Sequence, residues 1–490
     1  MKEDKIIIKI IMITALILVF GQYILYLLNY FNIGNVNHSF WSIVHIKTPS
    51  STIVLYSIIS IILTILVIIP KINKAILDKL KIVNNIKFKR KYLAYFITTS
   101  IFFVVFYIFR ITNENIMKDH WGYIAEQALT EPSRLVFLSG PITAYINFIF
   151  FRISNVLWGW SAIKAVGLMH VIYGALIFFA ILLMCDSFLK TNEFLKSNLQ
   201  KILLILLLTT TGFAQFFFGW WEGTTAGTIW MVVFIYTSYL FLRKKLKFIY
   251  PVLAFWLAFF FHAIAFWYIP AVLFLYFVNA GITKLSFKNF FKGIFNIKFL
   301  KFILILLIPT IILFGILEIT LYSRLGVHVT NIEQVKMGNL LGGGDGTIFV
   351  PLTGIHTVWE HFTMFSFGHF MEFLNLNLLN MPFGLTLFIT LLLLYRKKIN
   401  FKDPFIYFML ILISFFLLFM TTYNVDYIEE IIWDGYTTMI LLYAIFNSYI
   451  LIKYSQKGTF ETVALIMIIV GLLLTIPWIL SNSSYAFLLQ

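Results

Sequence analysis

Cysteine occurs once in the 490 residues, at Cys185, so the chain can form no internal disulfide and no thiolate metal site. Charge is also scarce. Asp, Glu, Lys and Arg make up 12% of the residues, about half the roughly 25% of an ordinary soluble domain. Acids are the scarcer sign, 21 against 37 lysines and arginines. What fills the chain is apolar: 61% hydrophobic, with a mean hydropathy of +0.92. A soluble globular protein is excluded, and a polytopic membrane protein is expected.

Apolar runs of about 17–23 residues match a hydrocarbon core of about 30 Å. Spans are expected near 6–28, 51–70, 93–110, 162–184, 202–218, 224–242, 250–262, 264–279, 301–320, 378–395, 404–422, 436–453 and 460–480, about thirteen in all. The first exceeds a signal-peptide core and lacks a small-x-small cleavage site, so it reads as a retained signal anchor. Residues 141–160 carry Arg152 in mid-run and read as an interfacial or re-entrant helix. The run 251–278 is too long for one span and too short for two, so a bent pair of short helices with His262 near the turn is expected. The whole is read as one all-α membrane domain with two extra N-terminal spans (1–91) and no soluble domain.

The bases fall between spans, in 71–91, at Lys190, Lys196 and Lys201, in 243–247, 284–301 and 396–402, and at Lys453 and Lys457. The positive-inside rule puts these loops and the N-terminus in the cytoplasm, in a plasma membrane. Spread this way, the +16 net charge is a lipid signal, and nucleic acid is not an expected partner. Of the acids, only Glu3, Asp4, Asp78, Asp186, Glu193, Asp403 and Glu461 lie on that side under this assignment. The remainder gather on or near the outer face. No rule of topology requires this, so the gathering points to chemistry there, or to solvated outer loops.

Five outer segments hold the candidates: the loop 111–141, GWWEG (219–223), the His262 hairpin, the loop 321–377 and DYIEEIIWDG (426–435). The loop 111–141 has Asp119 followed by His120, Trp121 and Tyr123, and later Arg134. Asp119 can take a proton from an acceptor hydroxyl, or it can cap a helix that starts near Trp121. Glu222, between Trp221 and Gly223, can hold a sugar by hydrogen bonds beside stacking indoles; the indoles also suit a membrane-interface belt. His262 is an ionisable group at or near the membrane, or a histidine bonded to a backbone carbonyl. In the loop 321–377, His369, Glu372 and Asn375 recur every third residue, a polar helical stripe that binds substrate or faces water at the interface. Arg324, Arg134, Lys118 and Lys336 are outer cations able to neutralise a lipid phosphate. His356, Glu360 and His361 do not form a zinc motif, and GGGDG (342–346) lacks the Lys-Ser/Thr of a phosphate loop. No metal or cofactor is expected.

At these motifs the chain resembles the GT-C superfamily of polyprenyl-phosphate-sugar-dependent membrane glycosyltransferases, over about residues 95–435. KDHWGY…SGPITAYINFIF is similar to the family's acidic first outer loop and proline-led helix. FFGWWEGTTAGTIWMVVFIYTSYLFLRKK, LAFFFHAIAFWYIPAVL, SFGHFMEFLNLNLLNMPFGL and IIWDGY, with Asp434, are similar to later blocks of one branch. The resemblance implies inverting, metal-independent transfer from a polyprenyl-phosphate sugar to a lipid-linked or cell-envelope acceptor outside the membrane. It makes Asp119 the base and an arginine such as Arg324 or Arg134 the phosphate partner. The acidic pair of many relatives is not adjacent here. A flippase for lipid-linked glycans is the alternative, although no internal repeat is present and the polar residues gather at one face. An envelope polysaccharide polymerase or ligase is a third reading, expected to rely on outer arginine and histidine.

Overall fold

The computed structural model describes residues 2–30, 51–86, 89–112, 141–191, 193–219, 223–282, 296–325, 349–355, 362–423 and 437–484. Among them the structure is helical, with two isolated β-bridges and no strand. The order begins α1 (Lys2–Tyr30), α2 (Ser51–Ile68), α3 (Pro70–Leu80), α4 (Lys91–Ile108), α5 (Pro141–Trp158), α6 (Ala162–Thr191) and α7 (Asn198–Thr209). It continues with α8 (Gly223–Leu242), α9 (Ile249–Phe261), α10 (Ile269–Asn279) and α11 (Ile297–Leu325). It ends with α12 (Phe367–Asn380), α13 (Gly384–Tyr395), α14 (Pro404–Thr422), α15 (Thr438–Tyr454) and α16 (Thr459–Asn482).

Among the described residues, six helices are long and apolar enough to cross a bilayer, and eight if two bent pairs each count as one span. The chain is a multi-pass membrane protein. Shorter apolar helices (α5, α7, α9, α15 and the stretch Ile264–Asn279) fill positions between them.

Sharp changes of direction have local causes. Pro70 cannot continue α2, because it lacks an N–H and its ring clashes with the preceding turn. It opens α3 instead, at 83° to α2. The strongly basic stretch read as a loop (71–91) therefore begins as a helix, with Asn73 and Leu77 buried one turn apart. Ser366 caps α12 by accepting from His369 N, and α12 meets α13 at 98°. The run expected as one span at 202–218 is also broken. α7 ends at Thr209, and a short turn, Ala214–Phe217, follows.

One end of the assembly is tied by charge. Lys91 and Tyr95 at the start of α4 bond Asp186 near the end of α6, at 3.0 and 2.9 Å. Arg243, after α8, reaches Glu193 (2.8 Å) and Asp403 (3.4 Å), and Lys453 reaches Asp403 at 2.6 Å. Lys398 pairs with Glu3, and the Tyr395 hydroxyl donates to Asp4. Gln200 donates to Glu461. Loops grouped by their basic residues in sequence thus meet in one layer, which fixes the alternating direction of the helices between them.

α4 and α6 run antiparallel, with Tyr95 beside Asp186 at one end and Phe102 and Phe106 against Phe178 farther along. α6 has 30 residues, about 45 Å at 1.5 Å per residue, and its first turns extend past the end of α4. There α5 packs on it, Phe151 against Ala162, Ala165 and Val166, while Tyr173 donates to Asn147 at 3.2 Å. The other side of α5 exposes Ile153, Val156, Leu157 and Trp158.

Lower on α6, Gly174 lets the turn Ala214–Phe217 press onto the helix. A Cβ there would stand 2.5 Å from the Phe216 carbonyl oxygen and 2.6 Å from the Phe217 Cα, both backbone atoms. Gly174→Leu is expected to cost about 1–3 kcal/mol by forced overpacking. Gly21→Leu, at an open position in α1, serves as control. Thermal unfolding of the two purified variants checks this, and equal midpoints would refute the tight crossing.

Candidate functional site

The end opposite the ionic layer gathers the roots of the candidate loops. Ile111 N donates to the Phe218 carbonyl (2.9 Å) and Thr112 N to the Asn482 carbonyl (3.0 Å), beside a bridge between Ile111 and Ser483. The Asp119 loop therefore leaves the bundle next to the turn that precedes Glu222. It returns at α5, where the Thr143 hydroxyl donates to the Phe261 carbonyl at 2.7 Å, one residue before His262. A second pair of roots is tied by the bridge between Phe349 and Tyr423, with Val350 N donating to the Thr422 carbonyl at 2.8 Å. This joins the end of the long loop after α11 to the start of the loop that carries Asp434.

Asp119, His120, Tyr123, Arg134, Glu222 and Asp434 lie outside the described residues, as do Lys118, Lys336, His356, Glu360, His361 and GGGDG. Arg324 belongs to α11, but its side chain is also outside them.

His262 sits at the break between α9 and a 3-10 turn (Ala263–Tyr268) that leads into α10, where the apolar run was expected to bend. Its Nδ1 accepts from Ile264 N at 3.2 Å, which requires an unprotonated Nδ1. The ring is buried, and a Cβ on Gly227 of α8 would come within 2.6 Å of the His262 Cβ. Its visible bond is to a backbone N–H, not to the backbone carbonyl expected, so the ring caps the 3-10 turn.

The stripe on α12 is inverted relative to a water-facing helix. His369, Glu372 and Asn375 are buried, at 5%, 6% and 2% exposure, while Phe367 and Phe370 are exposed. This corrects the reading of a polar face turned to water. In a lipid solvent polar groups are the costly ones, so they turn to the protein interior and the phenyl rings turn out. His369 Nε2 lies 2.9 Å from the Thr421 carbonyl, which can only accept, so Nε2 carries hydrogen. Nδ1 lies 3.5 Å from Glu372 Oε2, within ion-pair reach. The pair fastens α12 to the end of α14, beside the Phe349–Tyr423 bridge.

Removing one partner strands the other, at a cost of about 1–3 kcal/mol for a buried polar group. Glu372→Ala is expected to lower stability by that amount, and Glu372→Gln, which keeps a polar partner, to lose less. Thermal unfolding in detergent checks the order, and equal midpoints for all three proteins would show that the pair is not formed.

Residues not singled out in sequence also collect here. Gln215 is fully buried, and neither atom of its amide has a partner among the described residues; the Thr211 and Thr224 hydroxyls are in the same position. Thr437 and Thr438, at the start of α15, are fully buried, and the Thr438 and Tyr268 hydroxyls have no hydrogen-bond partner among the described residues. The one available signal was Gln215 itself, a single amide inside the aromatic run FAQFFFGWW. Among the described residues, no set of three or more His, Cys, Asp or Glu side chains is placed to hold a metal ion. This end of the bundle therefore offers buried amide and hydroxyl donors, a His–Glu pair and anchored loops that carry carboxylates and cations. No protein-family model, curated protein or solved structure matches the chain.

Proposed function

We propose that the chain is a GT-C-like membrane glycosyltransferase that moves a sugar from a polyprenyl-phosphate donor to a lipid-linked or cell-envelope acceptor. Transfer takes place at the end opposite the ionic layer. In this reading the basic end and the N-terminus are cytoplasmic, the helices make about thirteen passes, and α5 lies in the interface of the outer leaflet. One observation carries it. The described ends that lead into Asp119 and Glu222, Ile111 and Phe218, are hydrogen-bonded neighbours, and the His369–Glu372 pair lies beside Thr421, close to where the chain leads on toward Asp434.

The chemistry follows from those groups. Asp119 takes the proton of the acceptor hydroxyl as the new C–O bond forms on the sugar's anomeric carbon. The bond from that carbon to the donor phosphate oxygen breaks on the opposite face, giving inversion. Arg324 or Arg134 compensates the negative charge that develops on the departing phosphate. The reading requires no metal ion.

Reconstituted protein with a panel of labelled polyprenyl-phosphate sugars and envelope extract tests the proposal. Consumption of one donor with label appearing in the acceptor is expected. A labelled lipid-linked glycan that crosses the bilayer with no donor consumed would replace this reading with a flippase.

A further inference from the structure

At the other end of the molecule, three ammoniums meet around one carboxylate. Asp186 Oδ2 accepts from Lys91 at 3.0 Å and lies 3.3 Å from Lys190, while Oδ1 accepts from the Tyr95 hydroxyl at 2.9 Å. Lys201 donates to that same hydroxyl at 3.2 Å, and Lys190 donates to the Tyr92 hydroxyl at 3.2 Å. Asp186 neutralises one of the three positive charges, and hydrogens remain on every ammonium once these bonds are made. The Lys91 and Lys190 side chains are 32% and 49% exposed, so the cluster opens outward.

The surface beside the opening is apolar. α4 packs chiefly on α6 and leaves Tyr92, Phe96, Ile97 and Ile101 exposed along its length, leading away from the lysines. A phosphate with a hydrocarbon chain satisfies both parts at once; a free phosphate would use only the first.

We propose that this opening binds an anionic phospholipid of the leaflet at the basic end. Its phosphodiester lies among Lys91, Lys190 and Lys201, and an acyl chain lies against Phe96, Ile97 and Ile101. The site is separate from the transfer site proposed above and does not depend on it.

Native mass spectrometry of the full-length protein in mild detergent, titrated with phosphatidylglycerol and with phosphatidylcholine of the same chains, tests it. The wild type is expected to prefer phosphatidylglycerol. The triple variant Lys91→Gln, Lys190→Gln, Lys201→Gln is expected to lose affinity for it by about fivefold per lysine removed. A control triple at exposed bases of the same end, Lys245→Gln, Lys247→Gln, Lys397→Gln, is expected to keep the preference. Exchange of the three cluster lysines for arginine preserves charge and is expected to keep it too. Equal binding of the two lipids by the wild type would overturn the proposal, as would equal losses in the two glutamine triples. An arginine triple as weak as the glutamine cluster variant would show damage to the fold instead of lost charge. Displacement of the lipid by millimolar inorganic phosphate would mean that the opening serves a free anion.

Discussion

Asp119→Asn is expected to lower sugar transfer in proteoliposomes by about 10²–10⁴-fold, the contribution of a positioned general base, with donor binding intact. The substitution is chosen because it separates the two readings of this residue. Asparagine caps a helix about as well as aspartate, so a residue that merely starts the helix near Trp121 would tolerate the change. It cannot take a proton from a hydroxyl, so a base would not. The change leaves untouched the bonds that hold the loop's two ends, from Ile111 N and Thr112 N and from the Thr143 hydroxyl of α5. Arg324→Gln and Arg134→Gln make the complementary test. A cation that holds the donor phosphate should change donor binding as well as rate. Wild-type transfer by Asp119→Asn would remove this residue from the mechanism, whatever the fate of the family resemblance.

How much of this could be read from the sequence depends on which force sets each feature. The gathering of basic loops at one end was legible, because lipid electrostatics sorts lysine and arginine between apolar runs. The layer joining Glu3, Asp186, Arg243, Lys398, Asp403 and Lys453 is the folded form of that sorting. The bend at His262 was legible from the length of its run alone. α3 was not, because a lysine-rich stretch looks like a loop until the burial of Asn73 and Leu77 is seen. The spacing of His369, Glu372 and Asn375 was plain, but which way the stripe faces depends on the solvent around α12, and spacing carries no sign. Gln215 stood out only as a lone amide in an aromatic run, and a single polar residue has no period from which its burial can be read.

Asp403 should be the most costly single carboxylate to remove from the ionic layer. It is 5% exposed at the side chain, and its Oδ2 accepts from the Tyr449 hydroxyl and from Lys453, both at 2.6 Å, with Arg243 at 3.4 Å. Its Oδ1 caps α14 through Phe405 N at 3.0 Å. Burial alone would push its pKa up. The bonds from Lys453 and Tyr449 and the nearby Arg243 charge outweigh that and hold it below the usual carboxylate value. Asp403→Asn keeps the cap and deletes the charge, leaving Arg243 and Lys453 to repel each other. Losing one partner of a buried pair costs about 3–5 kcal/mol. Lys453 is 35% exposed and Arg243 retains Glu193, so water and the second acid reduce this to about 2–4 kcal/mol. Asp403→Ala loses the cap as well and should fall about 1 kcal/mol further. Because the folded-state pKa is depressed, the charge contributes fully above the unfolded value near 3.9 and is lost only as pH falls through the folded one. The gap between wild type and Asp403→Asn should therefore stay constant from neutral pH down to about pH 5 and close below about pH 4. A gap that closed near neutrality would assign the effect to another group, and no gap at any pH would mean that the layer is not held by this carboxylate.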